Sequence, residues 1–229
     1  MRIGTITLSI ALVLFPTIIL ADVTAVSVMN SDKTTVKIFY DGGKEIARQI
    51  LDKEGNIIET NAKIPDGVVK EYDENGKLAF EWKFKSGRLE GLSKEFSLSG
   101  TLIAERNYRN NQREGVSKKY YKSGKLLAER NFKEDKLDGM TKMYYESGKV
   151  FAELNYKAGK LDGTSKTYYE NGTLGSEEIY KNQQKIRIKS YDQQGKLLFD
   201  HDYTAEKSLN NTTTIQLNKG DKTENTNKK

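Results

Sequence analysis

Five glycines stand 24 residues apart: Gly67, Gly91, Gly115, Gly139 and Gly163. A second set keeps the same beat at Gly76, Gly100, Gly124, Gly148 and Gly172. A period of this length means one small supersecondary unit copied in tandem, each copy burying the open side of its neighbour. The period also bears on function. A repeat builds a surface, whereas a catalytic site needs a residue that occurs once.

Each copy predicts a β-hairpin. A short run rich in Val, Tyr and Phe leads into a turn such as ENGK (74–77), KSGK (122–125) or ESGK (146–149), and a second alternating run ends at an aromatic residue. Asn-Gly and Ser-Gly between alternating runs are strong hairpin signals. The glycine is expected at a bulge with positive φ, where a Cβ brings strain. A sixth, decayed copy runs over 188–203, where the beat slips: Gly195 follows Gly172 by 23 residues. Residues 37–64 look like a weaker copy still, with Tyr40 and then LDKEGNII around Gly55.

If Asp73 pairs with Lys77, a simple ladder sets Tyr72 against Leu78, Lys70 against Phe80 and Val68 against Trp82. Side chains alternate along a strand, so these residues and Phe84 would share one apolar face. In the third copy Tyr120, Leu126, Ala128 and Phe132 would join it, leaving Ser117, Lys119, Glu129 and Asn131 on a wet face. Lysines at Lys70, Lys94, Lys118, Lys142 and Lys166 break the apolar face on the same beat. They would lie opposite small residues such as Ala104, Ala128, Ala152 and Ser176. Their stems could snorkel to water. Alternatively, Lys118, Lys142 and Lys166 form a cationic binding ladder. An acidic ladder at Glu81, Glu105, Glu129, Glu153 and Glu177 would occupy the other face. The tandem tyrosines put one ring on each face, so Tyr121, Tyr145 and Tyr169 make an aromatic row beside Leu127 and Phe151. Such rows mark interaction surfaces or shield the outer face by cross-strand packing. Trp82, the single tryptophan, is expected in the core.

Little else looks chemical. There is no cysteine and one histidine, His201, which excludes Cys-His nucleophiles and structural zinc sites of the usual kind. No GxSxG elbow supports a Ser-His-Asp triad, and His201 reads as a half-exposed strand residue. Nearly every acidic residue belongs to a ladder, and the Lys-Leu-Asp-Gly strings read as turns between hairpins. The expectation is no enzyme, no metal and no cofactor.

Four segments follow. Residues 1–21 read as a secretory signal, with Arg2 before an apolar run and Ala21 before Asp22; an uncleaved anchor is the rival. No cysteine follows, so a lipoprotein is excluded. Residues 22–65 form a lead-in with a degenerate repeat, and 66–203 the array. Residues 204–229, mostly Asn, Thr and Lys, are too polar to fold and read as a disordered tail. The net charge is +6, of which about +3 belongs to the body. That thin basicity excludes the dense stripe of a nucleic-acid binder.

The strings DGVVKEYDENGKLAFEWKFKSGRLEG (66–91) and EGVSKKYYKSGKLLAERNFKEDKLDG (114–139) resemble bacterial MORN-repeat variants over roughly 66–203. YDENGKL (72–78) and YDQQGKL (191–197) also resemble YD repeats, more weakly. The MORN resemblance implies an all-β fold: an elongated antiparallel sheet of tandem 24-residue hairpins, twisted or rolled. It implies protein scaffolding, self-association and membrane-surface contact through acidic phospholipid. Many such proteins are labelled antitoxins, the YwqK-like family, a role that sits poorly with export. The expectation is an exported periplasmic or envelope scaffold for a protein partner. The alternatives are an antitoxin or immunity protein and an envelope binder of glycan or anionic lipid.

Overall fold

The computed structural model describes residues 23–73 and 75–204. The signal expected at 1–21, and all of the expected tail beyond Thr204, lie outside them. The chain divides after Asn111 into two compact units.

In the first unit, β1 (Thr24–Met29), β2 (Thr35–Asp41), β3 (Lys44–Leu51) and β4 (Ile57–Thr60) form the lead-in. β5 (Gly67–Tyr72), β6 (Leu78–Lys85), β7 (Arg88–Leu89), β8 (Gly91–Phe96) and β9 (Leu102–Arg109) form the first two copies. Neighbours pair antiparallel, except that β1 lies parallel to β5, with Ala25 beside Glu71. The core sits at that junction, where Ala25, Phe39, Ala47, Ile64, Val69 and Phe84 are buried together. Phe39 and Phe84 meet edge to face at 5.7 Å. The weak copy in the lead-in is a hairpin of the array's kind: the Asp52 amide donates to the Asn56 carbonyl at 2.9 Å, and Gly55 has φ +87°.

The second unit holds β10 (Gln112–Arg113), β11 (Gly115–Tyr120), β12 (Leu126–Lys133), β13 (Lys136–Tyr144), β14 (Val150–Lys157), β15 (Lys160–Leu161), β16 (Gly163–Tyr168), β17 (Leu174–Lys181), β18 (Gln184–Tyr191) and β19 (Leu197–Asp202). Its buried residues are small: Ala128, Ala152, Ser117, Thr141 and Ser165, with Phe132.

The hairpin turns form as their sequence predicts. At KSGK the Tyr121 amide donates to the Lys125 carbonyl at 2.8 Å, and the Gly124 amide to the Tyr121 carbonyl at 2.9 Å. Gly124 has φ +82° and open space where a Cβ would stand, so its role is conformational.

The register beyond the turn differs from expectation by one residue. Tyr72 does face Leu78, but Glu71 faces Phe80, Lys70 faces Glu81 and Val69 faces Trp82. A second bulge, directly after the turn, places one extra residue on the returning strand, and the same shift recurs in every copy. A one-residue slip moves every side chain to the other face. Val69, Glu71, Phe80, Trp82 and Phe84 therefore share one face. In the third copy Ser117, Lys119, Ala128, Arg130 and Phe132 share the corresponding face, while Val116, Lys118, Glu129 and Asn131 occupy the opposite one. The lysines do not face Ala104, Ala128, Ala152 and Ser176, which lie across from Glu95, Lys119, Met143 and Thr167.

The links between hairpins also differ from expectation. The turn falls before Lys-Leu-Asp-Gly, at pairs such as Glu134-Asp135 (φ +50° and +64°) and Ala158-Gly159 (φ +49° and +83°). Two positive φ values in succession give the turn that matches strand twist. Lys-Leu then pairs as strand, and the acidic-Gly pair is a bulge: Gly139 has φ +98°, with the Asn131 Cβ 3.5 Å from where its own would stand. The acidic residue ties the next link in place. Asp138 accepts the Ala158 amide at 3.0 Å, and Asp162 accepts the Asn182 amide at 2.9 Å. In the first unit Asp66 accepts the Ser86 amide at 2.6 Å. These carboxylates satisfy turn amides across one repeat, which accounts for acidic-Gly on the 24-residue beat.

Candidate functional site

The slip brings the two charge ladders, expected on opposite faces, onto one. Lys142 lies between Glu129 on β12 and Glu153 on β14, and Lys166 lies between Glu153 and Glu177. The Lys118 ammonium is 3.6 Å from Glu129, Lys142 is 3.2 Å from Glu153 and Lys166 is 3.5 Å from Glu177. In the first unit Lys94 pairs with Glu81 at 3.7 Å. Opposite charges directly across a strand pair specify register. Half-exposed pairs of this kind are each worth roughly 0–1 kcal/mol.

Tyrosine hydroxyls join the ladder. Tyr144 donates to Glu129 at 3.1 Å and Tyr168 to Glu153 at 3.2 Å. Partial burial and the adjacent carboxylates raise both phenols above the ordinary tyrosine pKa. The first tyrosine of each pair therefore belongs to the charged face, not to the core. The second bridges to the following copy. Tyr121 donates to the Tyr144 carbonyl at 2.6 Å, Tyr145 to the Tyr168 carbonyl at 2.7 Å and Tyr169 to the Tyr191 carbonyl at 2.8 Å. All three rings are half-buried, and Tyr145 meets Phe151 edge to face at 5.2 Å.

Beside the ladder stands a row that periodicity alone misassigned. Val116 is 41% exposed and Met140 39%; in the first unit the equivalent Val68 and Leu92 are 50% and 41% exposed. Each occupies the position after an acidic-Gly glycine. That position carried the signal, but the expected register put Val68 in the core. Val116 and Met140 lie across from Asn131 and Asn155, whose side-chain amides donate to the Met140 and Thr164 carbonyls.

A second group escaped sequence reasoning. Glu71 is 6% exposed and accepts from Ser27 at 2.6 Å, the Trp82 indole at 2.6 Å and Lys37 at 2.8 Å. The Lys37 ammonium also sits 4.4 Å from the Trp82 ring centre. Burial alone would raise the Glu71 carboxyl. The Lys37 charge and the three donated bonds outweigh it and hold the group below the ordinary glutamate range. Trp82 is half-buried, packs against the core and stacks on Phe80 at 4.9 Å. His201, on β19, lies 4.4 Å from the Tyr203 ring and 5.7 Å from that of Phe199. Among the described residues no group of three or more His, Asp or Glu is placed to hold a metal ion, and no helix is long and apolar enough to cross a membrane.

The MORN repeat variant matches five times in succession, over 65–86, 89–110, 113–134, 137–158 and 161–182. This chain belongs to the MORN repeat variant family. Each match contains one hairpin turn and reaches the link turn that follows, so the family's unit and the structural unit coincide. MORN repeats are protein- or lipid-binding repeats. No curated protein matches the chain. Solved structures with partial likeness include the crystal structure of TarM, at 21% identity and TM-score 0.30, covering 42% of this chain and 19% of that one. Another is an S. aureus TarM mutant in complex with fondaparinux, α-GlcNAc-glycerol and UDP, at 20% identity and TM-score 0.31, with the same coverage. The MORN chain thus spans about a fifth of the length of those solved chains.

Proposed function

We propose that this is an exported, non-enzymatic MORN protein whose strand face binds a protein partner. The observation that carries the reading is the face on which Val116 and Met140 stand exposed beside a self-neutralised Lys-Glu ladder. Exposed apolar side chains among matched charges suit a protein interface, where the contact core is apolar and depleted of net charge. The same ladder weighs against anionic lipid, because Lys118, Lys142 and Lys166 each have a carboxylate within 3.6 Å. An antitoxin or immunity role would be a special case of the same surface.

The test compares the parent with Val116→Ser/Met140→Ser as baits in envelope extracts, with liposome flotation at low salt alongside. The expected result is a defined partner retained by the parent and lost by the variant, with no flotation on anionic vesicles. Capture of the same proteins by both baits would overturn the assignment, as would low-salt flotation in the absence of any partner. Tyr121→Phe, Tyr145→Phe and Tyr169→Phe are poor probes of binding, since each removes a bond that joins two copies.

A further inference from the structure

We propose that a recess on the third copy binds a carboxylate side chain from an acidic, partly apolar peptide segment of a partner protein, with Arg130 as the clamp. The inference rests on the protein-binding reading above and adds a contact on the opposite face of the same strands.

The copies act as controls for one another. In the second copy, Glu95 and Arg106 are diagonal neighbours and form an ion pair. The same places hold Glu71 and Trp82 in the first copy, joined by the indole hydrogen bond. They hold Met143 and Leu154 in the fourth, both uncharged. In the fifth they hold Thr167 and Glu178, and Glu178 pairs with Lys185 at 2.9 Å. The third copy places Lys119 beside Arg130. Two cations share that face, and among the described residues neither has an ion-pair partner. Like charges on neighbouring strands are unfavourable. The other four copies avoid this arrangement.

Arg130 opens into a recess of about 420 Å³, lined also by Arg113, Phe132, Asp135, Lys136 and Leu137. Arg113 lies 4.2 Å from the Phe132 ring centre and donates to Asp135 at 3.1 Å, so that pair is spent on itself. Arg130 and Lys136 remain as uncompensated charge above a floor made by Phe132 and Leu137. A guanidinium presents a planar fork that a carboxylate accepts with two hydrogen bonds, and a neighbouring apolar side chain would cover Phe132. A membrane surface is a poorer fit. It is recognised by several clustered basic residues, whereas the uncompensated charges at this recess are Arg130 and Lys136 alone, set beside Phe132 and Leu137.

The test titrates the full chain with a capped peptide of alternating Glu and Leu, its Gln-for-Glu analogue, inorganic phosphate and anionic vesicles. Lys119→Glu installs the ion pair of the second copy, and Arg130→Leu installs the residue of the fourth. The second copy already carries the Glu-Arg pair, and the fourth already carries Leu at the second place. Binding of the Glu peptide is expected to fall at least tenfold in each variant and in the Gln analogue. Equal binding by parent and Lys119→Glu would overturn the proposal. So would displacement of the peptide by equimolar phosphate, or vesicle binding without peptide binding. If Lys119→Glu loses the peptide but retains the partner undiminished, the recess is not a partner contact, while the protein-binding reading stands. Val116→Ser/Met140→Ser is expected to bind the peptide as the parent does, so that variant tests the other face separately.

Discussion

At the scale of single residues, the copies separate polar groups with partners from polar groups without. Ser93 accepts the Lys83 amide at 3.3 Å, but its counterparts Ser117, Thr141 and Ser165 are buried with no hydrogen-bond partner within the described chain. An unsatisfied buried hydroxyl costs about 1–3 kcal/mol, and an apolar group of the same shape removes that cost. Thr141→Val keeps the shape and the β-branch. It is expected to raise stability by about 1 kcal/mol in urea unfolding of the full chain. A loss of that size would mean the hydroxyl is bonded in solution. Lys118, Lys142 and Lys166 show the converse. Their recurrence was legible in the sequence, but their partners were not, because a partner across a ladder depends on register.

At the scale of elements, the two kinds of turn differ in how well their residues suit them. The array's hairpin turns place glycine at positive φ, whereas its links also place Glu134, Asp135 and Ala158 there. A residue with a Cβ held at left-handed φ costs roughly 1–2 kcal/mol, and Asn tolerates it best among them. Ala158→Asn would make the link Asn-Gly, the preferred pair for this turn, while leaving the amide that Asp138 accepts. It is expected to stabilise the protein by about 1 kcal/mol, read as a higher urea midpoint at unchanged slope. An unchanged or lower midpoint would show that this link is not limited by backbone conformation. The hairpins were legible because Asn-Gly and Ser-Gly are local signals. The links were misplaced because Lys-Leu-Asp-Gly looks like a turn, whereas its glycine serves a bulge that exists only once two strands are paired.

At the scale of the whole molecule, the lead-in covers the start of the array in the first unit. Lys37 reaches Glu71 from β2, so removing one partner leaves a buried charge. Lys37→Met is expected to cost about 3–5 kcal/mol, and adding Glu71→Leu to recover most of it. The pH dependence follows from the sign of the Glu71 shift. Its folded pKa lies below its unfolded value, near 4.5. Its contribution is therefore complete above about pH 4.5 and lost as pH falls through the lower, folded value. Unfolding followed from pH 7 to 3 should show a smaller acid loss in Glu71→Gln than in the parent. Equal losses would place the pH dependence elsewhere.

The period alone determined a great deal about this MORN chain: the repeat unit, the hairpin and the turn glycines. Those features are local, since turn chemistry and alternation act within a few residues. Which face each side chain occupies was decided only in the tertiary structure. One bulge after each turn adds a residue to one strand, and with a side-chain period of two that single residue reverses every assignment beyond it. The paired ladder, the exposed Val116 and Met140 and the unmatched Arg130 all follow from that reversal. The Glu71 network also needed the tertiary structure, because its partners Lys37 and Ser27 come from strands 34 and 44 residues away.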